Sequence, residues 1–145
     1  MRRMRLLAAA ILISASAACA TDNSARPAAA GVFTPPMGSN QIFHEALSAA
    51  PGHELIAADL ALGPDAAGQA HWHPWEEYLY VLAGSALVEI EGEPQRVVLP
   101  GQSFIIPARA VHTPRAGSQG VRAIVLRVHD AGDPESVPAE TKETE

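Results

Sequence analysis

The chain holds a single cysteine, Cys19, in 145 residues, so no internal disulfide is available to it. Basic residues are scarce. Lys and Arg total 10 against 16 Asp and Glu, a formal net charge of −6. A nucleic-acid partner needs a basic footprint, and that class is excluded. No long hydrophobic run is present; the apolar stretch 6–13 is too short to span a bilayer. No glycine-rich phosphate cradle opens a helix, and the long helical pattern that a βαβ fold requires is missing. No serine or cysteine triad can be assembled, because the one cysteine lies near the N-terminus. Beyond the two histidine-bearing segments described below, nothing repeats.

What is there begins with the two ends. Residues 1–20 read as an export signal: Arg2, Arg3 and Arg5, then the apolar run, then small residues up to Ala20. Two processing routes fit. Ala18-Cys19-Ala20 matches ordinary small-x-small cleavage. Ala17-Ala18-Cys19 also resembles the end of a lipobox, with Cys19 taking a lipid, although Ser16 stands where Leu is preferred. The expected location is therefore the periplasm or a lipid anchor in the cell envelope. Cleavage after Ala20 removes three arginines and takes the charge from −6 to about −9, an acidity that favours solubility. Residues 21–40, with Pro27, Pro35-Pro36 and Gly38, read as a flexible linker. Residues 130–145 are acidic and poor in apolar side chains, and read as a disordered tail. The intervening 41–129, roughly ninety residues, suffice for one compact domain.

The signals in 41–129 are strand signals. Segments 41–47, 54–62, 77–82, 85–91, 95–99, 103–106, 112–115 and 121–129 are short, apolar or alternating. Gly63-Pro64-Asp65, Ala83-Gly84 and Gly92-Glu93-Pro94 punctuate them. Many short strands at this spacing predict an all-β sandwich or barrel.

The chemistry concentrates in His71-Trp72-His73-Pro74-Trp75-Glu76-Glu77. On an extended strand, His71, His73 and Glu77 share parity and point to one face. Two imidazoles and a carboxylate, joined by a ligand from elsewhere, would close a site for a divalent metal, and His112 is placed in sequence to be that ligand. Nitrogen donors with one carboxylate suit Fe, Mn, Zn, Ni or Cu far better than Ca or Mg.

These residues resemble the two motifs of the cupins. The first reads Gly-x5-His-x-His-x3–4-Glu-x6-Gly, matched by His71, His73, Glu77 and Gly84. The second reads Gly-x5-Pro-x-Gly-x2-His-x3-Asn, matched by Gly101, Pro107 and His112. Three positions depart: Asp65 stands for the opening Gly, Arg109 for the inner Gly and Ala116 for the closing Asn. All four ligand positions survive, so the departures bear on loop geometry; a non-glycine at 109 implies altered backbone or strain. The resemblance implies a double-stranded β-helix, the cupin jelly-roll barrel, with one divalent transition metal held by His71, His73, Glu77 and His112. It also implies a homodimer.

Other residues carry plainer expectations. Glu76 has the wrong parity and should be solvated. Trp72 and Trp75 should pack or anchor an interface. Tyr78 and Tyr80 lie on the face opposite Glu77 and suit a second sheet or a partner subunit. Phe43, Phe104 and Ile106 should line core or pocket. His44, His53 and His129 stand alone, as surface or strand-end residues. Arg109 and Arg115 fall near the barrel mouth and should be solvated.

Two function classes follow. One is a dioxygenase-like metalloenzyme acting on a small oxygenated molecule. The other is a non-catalytic module that binds a small molecule or metal. The fold alone does not choose between them.

Overall fold

The computed structural model describes residues 33–139, and every regular element among them is a strand. The expected export signal, Cys19 and most of the linker lie outside the described residues. The strands are β1 (Gly38–Ala46), β2 (His53–Leu62), β3 (His71–Trp72), β4 (Glu77–Ile90), β5 (Arg96–Val98), β6 (Ser103–Ile106), β7 (His112–Asp130) and β8 (Val137–Pro138). They form one antiparallel sheet curled on itself, a double-stranded β-helix. The path runs β1-β2-β7-β3-β8, with β4 joining β5, β6 and β7.

Two strands dominate this wall. β4 merges the expected segments 77–82 and 85–91, and β7 merges 112–115 and 121–129. They pair along almost their whole length, from Glu77 opposite Arg127 to Ile90 opposite His112. A ladder this long must bend to close a barrel. The bend falls between Val81 and Ala86, where the register slips twice. Gly84 (φ +69°) and Gly120 (φ +75°) meet at this corner. A Cβ on Gly84 would stand 2.0 Å from the Gly120 carbonyl oxygen, so no other residue fits without displacing backbone.

Alternation along the strands builds the core. Leu79, Val81, Ala86, Val88 and Ile90 of β4 face Ala116, Val121, Ala123 and Val125 of β7, all buried, with Ile106 and Val98 closing the cluster. The inward parity of β7 continues past Val125 to Arg127 and His129. Tyr78 and Tyr80 point the other way and are 44% and 47% exposed. Ile106 and Phe104 join the core, whereas Phe43 lies on the outer face at 39% exposure.

Both ends of the barrel reach past 41–129. β1 begins at Gly38, inside the expected linker. Val137–Pro138, inside the expected tail, pair with Trp72 and His71, and Ala139 N donates to Ala70 O at 3.0 Å. Composition hides this strand because its order comes from pairing with β3 and not from an apolar face of its own.

Among the described residues, two non-glycines have positive φ: Asp65 (+56°) and Arg109 (+63°). They stand where the family motifs carry glycine. The backbone keeps the left-handed conformation although the glycines are gone. Asp tolerates that region better than Arg does. Arg109 N donates to His73 O at 2.8 Å, which fixes the turn despite its cost.

Substitutions at the two kinds of position should therefore act with opposite sign. Gly84→Ala is expected to lower unfolding free energy by about 2–4 kcal/mol, because it adds both a clash and a positive-φ penalty. Arg109→Gly should raise it by about 0.5–1 kcal/mol. Urea denaturation midpoints of the two variants check both signs.

Candidate metal centre

His71 and His112 are direct cross-strand neighbours on β3 and β7. His73 follows β3 in a short bent segment rather than on one continuous strand with Glu77, and Pro74-Trp75 make the bend. The Arg109 amide holds that bend by its bond to the His73 carbonyl. Glu77 opens β4, opposite Ile106 on one side and Arg127 on the other. The barrel thus gathers all four residues on its inner wall. The ring centroids of His71 lie 4.8 Å from those of His73 and 4.4 Å from those of His112, and His73 and His112 are 5.2 Å apart. One nitrogen from each of the three histidines lies within 4.8 Å of the others, a group that could hold a metal ion. Glu77 joins through His73: its Oε2 is 2.9 Å from His73 Nε2.

The outer nitrogens decide what the inner ones can do. His71 Nδ1 faces Gln69 O at 2.8 Å, His112 Nδ1 faces Ala110 O at 2.9 Å, and His73 Nδ1 faces Glu135 O. A ring nitrogen against a carbonyl carries the proton, so in neutral His71 and His112 Nε2 presents a lone pair, whereas His73 Nε2 donates to the Glu77 carboxylate in the metal-free protein. His71 Nε2 and His73 Nε2 are 3.2 Å apart, and His112 Nε2 is buried with no hydrogen-bond partner. A carboxylate oxygen adds a further acceptor. Acceptors brought this close repel unless a positive charge sits among them, and the donor set fits a transition metal ion.

Burial and charge compete at the acid. Burial pushes the Glu77 carboxyl up, but the hydrogen bond from His73 and the positive neighbours His73, His112 and Arg127 outweigh it. The group is held below its ordinary range. Burial is the main influence on His112 and pushes its imidazole down, against the opposing pull of the Ala110 carbonyl and Glu77.

Two residues that sequence reading passed over complete the site. Arg127 NH1 lies 3.7 Å from Glu77 Oε2, and its NH2 lies 3.5 Å from Glu135 Oε2. The inward parity of 121–129 would have found Arg127. Nothing in the sequence marks Glu135, which arrives from the segment after β7. A solvent-open cavity of about 280 Å³, lined by His71, Glu77, Arg127 and Glu135 among others, gives access to the centre. An apolar hollow lined by Leu60, Leu79, Val88 and Ile106 reaches Glu77 and His112 from the core side. Glu76 is exposed, Trp75 packs near His53 with ring centroids 6.1 Å apart, and Arg115 pairs with Glu89 at 2.8 Å away from the centre.

A curled antiparallel barrel with three histidines and a glutamate on its inner wall defines a jelly-roll domain able to hold a metal. The chain belongs to the cupin superfamily: the Cupin domain family matches residues 59–129. Among curated proteins it is similar to 3-hydroxyanthranilate 3,4-dioxygenase of Burkholderia lata, 28% identical over 100 residues, covering 67% of this chain and 53% of that one. The same enzyme of Mycosarcoma maydis is 29% identical over 79 residues, covering 52% and 44%. The chain spans about half the length of these relatives. Among solved structures, the DMSP lyase DddQ from Ruegeria pomeroyi superposes with a TM-score of 0.53 at 23% identity, covering 70% of this chain and 51% of that one. A deletion variant of Bacillus subtilis oxalate decarboxylase does so with 0.54 at 20%, covering 72% and 29%. At these identities the superpositions establish the fold.

The two shifted groups set an acid dependence for the metal-free protein. Both are lowered, so the unfolded chain binds more protons as pH falls, and stability drops. His112 contributes loss once pH falls below its ordinary value of 6.5, and Glu77 adds loss below 4.5. Melting temperatures of the chelator-treated protein from pH 8 to pH 4 should fall in these two stages. His112→Asn should remove the first stage and keep the second.

Proposed function

We propose that this protein is a metal-dependent, dioxygenase-like cupin enzyme acting on a small oxygenated molecule. The observation that carries the reading is the gathering of His71, His73 and His112, one ring nitrogen of each within 4.8 Å of the others, with Glu77 Oε2 2.9 Å from His73 Nε2. His71, His73, His112 and Glu77 would hold one divalent ion of the Fe, Mn, Zn, Ni or Cu group. Bound there, the ion would supply Lewis acidity and, where redox-active, activation of dioxygen. The chain's own residues set the rest. The carbonyls of Gln69, Ala110 and Glu135 keep the imidazoles in the ligating tautomer. Arg127 offers a cation to an anionic or oxygen-rich substrate in the cavity. Leu60, Leu79, Val88 and Ile106 keep the core side of the centre dry. The similarity to 3-hydroxyanthranilate 3,4-dioxygenases makes that compound the first substrate to test.

One observation favours the second reading, a non-catalytic binding module. Arg127 is already flanked by Glu77 and Glu135, so its charge is paired within the protein. A site with its charges balanced can saturate with a ligand and release it unchanged.

Elemental mass spectrometry and oxygen uptake separate these outcomes. The purified protein should carry iron, manganese, nickel or copper, and His71→Ala/His112→Ala should lose about one equivalent of metal per chain. Oxygen consumption with 3-hydroxyanthranilate or related small oxygenated compounds should fall at least about 100-fold in His73→Ala, as expected for loss of an interaction used in the transition state. Saturable binding with no product establishes the binding module instead. A parent protein that refuses added metal sinks both metal-based readings.

We also infer export, to the periplasm or to a lipid anchor at Cys19, on the strength of Arg2, Arg3, Arg5, the 6–13 apolar run and Ala18-Cys19-Ala20. A homodimer follows from the outer face. Phe43, Ala57, Leu126, Tyr78 and Ile105 stand in one register row across β1, β2, β7, β4 and β6. All but Ala57 are exposed, at 37–52%. An apolar row of this kind marks an interaction face. Sedimentation should give twice the chain mass for the parent and the monomer for Tyr78→Glu/Leu126→Glu.

A further inference from the structure

A second cluster of donors lies on the same inner face, at the end of the barrel beyond Arg127. Glu54 of β2 is paired in register with His129 of β7. Ala46 of β1 pairs with Glu54, which places His44, opposite Ile56, one inward position away. His44 reaches this face only because β1 is bulged. Gln41 pairs with Ala58, yet Phe43 pairs with Ala57. An uninterrupted ladder would set His44 opposite Leu55, on the outer face. A bulge that re-aims one side chain is a common device beside functional sites.

The side chains meet. His44 Nε2 is 2.7 Å from Glu54 Oε2. The His44 and His129 ring centroids are 5.8 Å apart. One ligand atom from each of His44, Glu54 and His129 lies within 4.8 Å of the other two. His129 is 4% exposed, and both its ring nitrogens are buried without a hydrogen-bond partner. An imidazole in that state leaves a donor and an acceptor unmet, which a native structure ordinarily avoids. The far nitrogen of His44 faces Glu135, with Nδ1 4.0 Å from Oε1. A carboxylate behind a ligating imidazole is the usual means of orienting it.

We propose that His44, Glu54 and His129 form a second divalent transition-metal site, separate from the His71–His73–His112 centre. Two imidazoles and one carboxylate suit zinc and its neighbours, and exclude calcium and magnesium as preferred ions. Metal–ligand bonds of about 2.0–2.2 Å separate tetrahedral ligand atoms by about 3.3–3.6 Å. His44, the exposed member, closes the remaining distance by rotating toward the fixed His129. Its exposure also opens the site to solvent, so an ion can enter. The three ligands come from three adjacent strands, and a bound ion clasps the edge strand β1 to β2 and β7.

The test uses the full untagged chain, stripped by chelator and titrated with Zn²⁺ calorimetrically and with Co²⁺ spectroscopically. The His71→Ala/His112→Ala background removes the first centre. That variant should still bind one equivalent of Zn²⁺ and show the cobalt d–d absorption of a nitrogen-and-oxygen site. Adding His44→Ala or Glu54→Gln should abolish both signals, and adding Glu135→Gln should weaken zinc about 10- to 100-fold. Zinc should raise the melting temperature of the background variant and leave that of the His44→Ala derivative unmoved. His44 lies on an exposed edge strand, so circular dichroism of its variant should match the parent. Should the background variant not fold, the unmodified chain is read instead: it should bind two equivalents, and His44→Ala one. No zinc in the folded background variant, or zinc bound equally after His44→Ala, overturns the proposal.

Discussion

The antiparallel ladder between β4 and β7 is the constraint on which the rest depends. Among the described residues it is the longest pairing, and it carries Glu77 and His112 of the metal centre. Glu77 and Arg127 are opposed at one end, and Ile90 and His112 at the other. A straight ladder of that length would hold Glu77 and His112 far apart, since each residue advances the strand by about 3.3 Å. The corner at Gly84 and Gly120 folds the ladder back, and the two ends come to share one interior. The close backbone approach of Gly84 and Gly120, which leaves no room for a Cβ, thus stands at the corner between ligands many residues apart. This couples barrel closure to metal chemistry through geometry alone.

The centre so assembled is electrostatically unfinished. Each of the three imidazoles has its Nδ1 against a backbone carbonyl, and the buried Glu77 carboxylate faces His73. Burial weighs on His112 and holds its imidazole down, whereas at Glu77 the neighbouring His73, His112 and Arg127 outweigh burial and hold the carboxyl below its ordinary range. A bound cation would offset the cost of that burial, so that metal affinity and fold stability are linked through the same residues. Arg127 partly offsets the deficit as a resident cation. It does so from the wall, 3.7 Å from Glu77, and leaves the convergence point itself open.

Much of this was legible in the sequence, for reasons that differ by residue. The gathering of His71, His73 and His112 was readable because motif spacing is local, whereas the expected single-strand parity was not the route, since Pro74-Trp75 bend the chain between His73 and Glu77. The strands were readable as segments, but their fusion into β4 and β7 was not, since Gly84 and 117–120 look like turns until their partners are known. The departures at Asp65 and Arg109 were visible as missing glycines, and the retained left-handed backbone explains why they are tolerated: the fold imposes φ there and the side chain accepts it. Val137–Pro138 were hidden because their order comes wholly from pairing with β3. His44 and His129 read as isolated because their meeting depends on a one-residue bulge in β1, which no periodicity encodes.

That bulge and the segment after β7 give the inner face its organisation. Glu135 touches both clusters: its carbonyl accepts from His73 Nδ1, one carboxylate oxygen is 3.5 Å from Arg127, and the other is 4.0 Å from His44. Glu135 lies two residues before Val137, where β8 pairs with β3. Movement of His44 toward an ion would draw on the Glu135 carboxylate, and the Glu135 carbonyl sets the ring of His73. The two clusters thus share contacts with a single residue that lies outside both histidine-bearing segments.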